Sequence, residues 1–136
     1  MPTKKPAGSF VIADALLGAK GRDIVSIVAH IHNVRLMWLK AAGAIGIPPK
    51  LDPATVTRQQ AVQALDASCR ALDAALRTAL NADGRIKGFK PDVAGFFACL
   101  VAHDAHHRGQ ITMLARQLGH PVPQSVMFGM WEWGTR

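Results

Sequence analysis

Apolar residues return every three or four positions in three long stretches of this chain, with polar residues between them. That spacing gathers the apolar side chains on one face of an α-helix. The first stretch follows Gly21 and Arg22 and carries Ile24, Ile27, Val28, Ile31, Val34 and Trp38. Gly43 is placed to end it, and Pro48-Pro49 forbids its continuation. The second carries Val62, Leu65, Cys69, Leu72, Leu76 and Leu80. Thr57 and Gln60 form a capping-box pair at its start, and Asp66/Arg70 and Asp73/Arg77 are i,i+4 ion pairs on its flank. The third carries Phe96, Leu100, His103, His107, Gln110, Leu114 and Leu118, opened by Pro91 in its first turn and ended by Gly119.

The intervening segments read as connections. Residues 1–8 form a lead-in, and Ser9 caps a short helix over 10–17 that stops at Gly18. A proline-containing loop covers 44–56, and a connection with Gly84 and Gly88 covers 81–90. The tail, 122–136, holds Met127, Phe128, Met130, Trp131 and Trp133, and so much apolar surface predicts that it packs back onto the helices. No stretch alternates with period two. The expected fold is all-α: one domain over 1–136, a four-helix bundle with a short first helix.

Charge changes this picture little. The formal net charge is +7, but the basic residues are scattered and no basic helix is interleaved with aromatics. A solvated basic surface is therefore expected, not a nucleic-acid interface. Cys69 and Cys99 form no CxxC pair, the N-terminus does not read as a signal peptide, and no apolar run is long enough for a bilayer. A cytoplasmic protein with free thiols and no membrane association is expected.

The chemistry concentrates in the third stretch, in His103-Asp104-Ala105-His106-His107-Arg108-Gly109-Gln110. His103 and His107 lie one helical turn apart on the core-facing side, where two imidazoles can grip one metal ion. Catalytic metal sites usually take three protein ligands and leave a position for water or substrate. His30 shares the core-facing line of the first long helix with Ile27, Val34 and Trp38, which makes it the best third ligand. His32 and His106 are rotated onto other faces. Without a metal, the three would be core histidines, each needing its own buried partner.

The run from His103 to Ile111, followed by Leu118-Gly119 and Pro121, resembles the motif of the DinB-like (DNA-damage-inducible) family. Ala29-His30-Ile31-His32-Asn33-Val34-Arg35 with Trp38-Leu39 resembles that family's first metal-ligand region, and Phe89-Lys90-Pro91 and Trp131-Glu132-Trp133-Gly134 look like one of its subgroups. The resemblance implies a four-helix bundle of the DinB-like type and a divalent metal ion (Zn, Ni or Fe) on His30, His103 and His107. Members with assigned roles include thiol-dependent transferases and isomerases that use low-molecular-weight thiols; most members have no assigned reaction. A small-molecule substrate and a homodimer are the partners expected. The other reading is a non-catalytic metal-binding, structural or interaction protein.

Several neighbours could serve the site. Gln110 is a candidate catalytic contact to substrate or to a metal-bound water, or it bonds between helices. Cys99, one turn before His103, stands where the family more often has an aromatic; it is a thiol near the metal or, as free cysteines usually are, a small buried hydrophobe. The same burial is expected for Cys69. Asp104 could orient a ligand histidine or form a surface ion pair, and the surface pair is expected; Arg35 and Arg108 could bind an anionic group at the site rim, or sit in solvent or in a salt bridge. Trp38 and Trp131 read as core or interface anchors. His103-Asp104-x-x-His107 also resembles a zinc-protease motif, but the acid is Asp where that motif has Glu, and position 113 of the longer pattern is Met113. Glu132 would then be the remaining candidate for third ligand.

Overall fold

The computed structural model describes residues 23–129 together with Trp131, Glu132 and Gly134. The lead-in and the helix expected over 10–17 lie outside them. Among the described residues there are four α-helices: α1 (Ile24–Ala41), α2 (Arg58–Asn81), α3 (Val93–Gln117) and the short α4 (Gln124–Gly129). The fold is all-α except for a hairpin of β1 (Arg85–Ile86) and β2 (Phe89–Asp92) between α2 and α3. Val25–His107 is one compact unit, and the residues from Arg108 onward belong to another. No helix among the described residues is long and apolar enough to cross a membrane.

The helix ends follow from local chemistry. Gly43, at φ 73°, ends α1: its N–H donates to Lys40 O at 3.0 Å, and the Ala44 N–H to Leu39 O at 3.0 Å. The left-handed turn costs glycine nothing and satisfies two carbonyls that the helix leaves open. The capping box of α2 is present in both directions. The Gln60 N–H donates to Thr57 Oγ1 at 3.2 Å, and the Thr57 N–H to Gln60 Oε1 at 2.9 Å.

The hairpin corrects the sequence reading, which left 81–90 as a connection without strands. Its strands are two and four residues long, too short for alternation to show. Ile86 pairs with Phe89 across a turn of Lys87 and Gly88, the latter at φ 82°. Pro91 belongs to β2 and not to the first turn of α3. Asp92 opens that helix instead, its Oδ1 accepting from the Gly95 N–H at 2.9 Å. The hairpin tip lies close against the end of α1: a Cβ on Gly88 would meet Ala41 O at 2.8 Å.

The core of the Val25–His107 unit is built from Leu36, Leu39, Leu72, Ala79, Ile86, Val93 and Phe96. Trp38, Phe89 and Phe96 meet edge to face, with ring centroids 5.5–5.7 Å apart. That geometry sets the positive edge of one ring against the negative face of the next. These three rings tie α1, β2 and α3 together two turns before His103.

The buried face of α2 keeps Leu72 and Leu76 of the expected stripe but shifts by one residue at three other positions. Ala61, Ser68, Leu72 and Ala79 are buried, whereas Val62, Cys69 and Leu80 are exposed. The buried residues at 61, 68 and 79 are small, and a close-packed interior takes the side chain whose volume fits. In α1, His32 was expected off the core-facing side, yet it is fully buried. Its Nε2 lies 2.9 Å from Pro49 O, and the Asn33 amide exchanges two 2.9 Å hydrogen bonds with the backbone of Leu51. These two side chains pin the loop after α1 against its own helix. In the tail, Gln124–Gly129 forms α4, whose Val126 and Phe128 are exposed, as is Trp131 beyond it.

Candidate metal centre

α1 brings one histidine to the centre and α3 brings two. His30 sits in the middle of α1, and His103 and His107 occupy successive turns of α3. One ligand-capable atom from each of the three lies within 4.8 Å of the other two. The ring centroids of His30 stand 5.4 Å from His103 and 4.6 Å from His107. His103 Nε2 and His107 Nε2 face each other at 3.1 Å. Two imidazole nitrogens sharing one ion at about 2.0–2.1 Å stand roughly 3 Å apart, so the donor set fits a divalent ion of the zinc type.

The electrostatics agree with that fit. Burial, reinforced by the neighbouring His107, lowers the pKa of His103 below its ordinary 6.5; the Asp104 carboxylate pulls the other way and loses. A neutral imidazole is the form that offers a lone pair to a metal. His107 is buried while His30 and His103 are half-buried, so the cluster touches solvent on one side.

Among the described residues, the group holds these three histidines and no other His, Cys, Asp or Glu. Cys99 is outside it and, like Cys69, is an exposed free thiol, not the buried small hydrophobe expected. It lies off the centre of the stripe formed by Val93, Phe96, Leu100, His103 and His107. His106 is exposed, with its ring 4.9 Å from that of His107. Gln110, on α3 three residues beyond His107, is half-buried.

Asp104 departs from expectation in a way that matters for the site. Its partner is Arg35 on α1, Nη2 to Oδ2 2.5 Å, and the pair is partly buried between helices instead of lying at the surface. Arg35 also donates through Nη1 to Leu65 O at 3.1 Å and to Ser68 Oγ at 3.2 Å on α2. The sequence leaves Arg35 open between the site rim, solvent and a salt bridge, and the structure puts it in a salt bridge with a partner the sequence does not name. The one available signal was that an acid and a base of opposite charge each stand near a candidate ligand.

No curated protein and no solved structure matches the chain. The model of the DinB family matches residues 13–133, a span that includes all three clustered histidines and both helices that carry them. By that match over most of its length, the chain belongs to the DinB family.

Proposed function

We propose that the protein is a divalent-metal-dependent enzyme whose ion is held by His30, His103 and His107, with a thiol-dependent transferase or isomerase as the reaction class. The observation that carries this reading is a half-exposed cluster of three imidazoles that, among the described residues, has no fourth protein donor in the group. Three protein ligands leave coordination positions for substrate, whereas a structural site is normally closed by a fourth. A bound ion would act as a Lewis acid or lower the pKa of a thiol brought to it.

The chain's own part is to deliver three neutral imidazoles on two helices, in a place that solvent can reach. Gln110 is the residue we assign to holding the substrate, a small molecule acting with a low-molecular-weight thiol. Zn, Ni and Fe all suit three nitrogen donors, and the availability of the metal decides between them. A homodimer is the assembly we assign, supported by the exposed apolar residues of α4.

Metal analysis of the purified protein tests the centre. The wild type is expected to carry one ion per chain and the His107→Ala variant much less. Equal metal content in the two would overturn the assignment. Turnover of electrophilic substrates with a small thiol, lost on chelation and in His107→Ala, tests the reaction class.

A further inference from the structure

The two carboxylate oxygens of Asp104 face different partners, one at hydrogen-bond distance and one at electrostatic range. Oδ2 takes the Arg35 guanidinium, and Oδ1 stands 3.8 Å from His103 Nδ1. Nε2 of the same imidazole is turned toward His107. His103 is therefore used from both ends, one nitrogen toward the cluster and the other toward a carboxylate. A ligating histidine needs its lone pair on the metal side, so its proton must sit on the far nitrogen. An anionic acceptor beside that nitrogen favours the required tautomer and fixes the ring.

Asp104 is in turn fixed by Arg35, whose side chain is 14% exposed. The guanidinium is anchored on α2 through Leu65 O and the fully buried Ser68. Arg35 also stands five residues after His30 on α1. One guanidinium thus joins the helix carrying His30, the helix carrying His103 and His107, and α2. An exposed ion pair contributes little to stability, but this one is partly buried, its guanidinium is held by two further hydrogen bonds, and it ends beside a candidate ligand.

We propose that Arg35 and Asp104 are positioning residues of the metal centre: Asp104 holds His103 with its proton on Nδ1, and Arg35 holds Asp104. This rests on the three-histidine metal reading above. The test measures Co2+ affinity by competition with a chromophoric chelator, alongside the thermal midpoint of each metal-free variant. Asp104→Ala is expected to weaken Co2+ binding about 10- to 100-fold while the stoichiometry stays at one ion per chain. Asp104→Asn, which keeps an acceptor beside Nδ1, falls between it and the wild type. Arg35→Ala weakens binding in the same direction, and the double variant is no worse than Asp104→Ala. If Arg35→Ala does not fold, the Asp104 variants decide alone.

A pair that served stability only would lower the metal-free midpoint of Asp104→Ala and leave its Co2+ affinity at the wild-type value, which would overturn the proposal. Wild-type affinity no better than that of His107→Ala is a different result: it overturns the three-histidine reading and the role of the pair with it. Imidazole nitrogen NMR of the Zn2+-loaded protein gives a second readout. His103 is expected to be protonated on Nδ1, and protonation on Nε2 would contradict the proposal directly.

Discussion

Phe96 is 2% exposed and meets Trp38 and Phe89 edge to face, so its removal tests whether the aromatic cluster holds α1, β2 and α3 together. Truncating a buried phenylalanine to alanine costs about 3–5 kcal/mol through lost transfer energy and the cavity left behind. Phe96→Leu keeps most of the apolar bulk and loses the two ring pairs, each worth about 0.5–1.5 kcal/mol. The leucine variant should therefore lose roughly 1–3 kcal/mol, and the alanine variant about 2 kcal/mol more. Domains are stable by only about 5–15 kcal/mol, so Phe96→Ala removes a large fraction of the total. Urea unfolding followed by circular dichroism reads both values, with unchanged m-values showing that the comparison is between like states. Phe96→Leu should still bind metal, since the helix it anchors stays in place. A loss under about 1 kcal/mol in Phe96→Ala, at unchanged m, would refute the claim that this cluster anchors the unit.

Acid should weaken the metal-free protein in a way that His103 explains. Its pKa in the fold lies below the ordinary 6.5, so the fold disfavours its charged form; its contribution to stability is flat above 6.5 and falls as pH drops from there toward the folded value. His103→Gln should lose that part of the slope in thermal melts, and a profile parallel to the wild type would contradict the reasoning. Gly88→Ala should cost more than about 1 kcal/mol, because φ is 82° and the new Cβ would press on the Ala41 backbone; a wild-type melting temperature would show that the hairpin tip is not seated there. Asn33→Ala removes two loop bonds, each worth about 0.5–1.5 kcal/mol, and should speed hydrogen exchange at the Leu51 amide. Unchanged exchange at Leu51 would mean that the loop is held by something else.

What the sequence revealed was what depends on near neighbours. The three long helices, the Thr57/Gln60 cap and the i,i+4 pairs were legible because helical periodicity and capping act over a few residues. The His103/His107 pair was legible for the same reason, and His30 because it shares a stripe with core residues. The hairpin was not, since strands of two and four residues carry no periodic signal. Pro91 drew the start of α3 toward itself, although Asp92 is the residue with a side chain able to cap. That α2 buries Ala61, Ser68 and Ala79 and exposes Val62, Cys69 and Leu80 depends on packing between distant parts of the chain, and no local rule contains that. The partners of Arg35 and His32 lie 17 to 69 residues away, so their burial could be read only from the folded chain.

Two of the three clustered histidines come from adjacent turns, and the third from a part of the chain some 70 residues earlier. Bringing such distant points together costs an unfolded chain roughly 4 kcal/mol in loop closure alone. Before folding, an ion would find only the local pair; the three-donor grip exists once α1 lies against α3. An ion that binds the finished arrangement and not the coil adds about 2.7 kcal/mol to stability at a hundred times its dissociation constant. The persistence of the protein in a cell would then follow metal supply, with starved chains unfolding more often and meeting proteases more often.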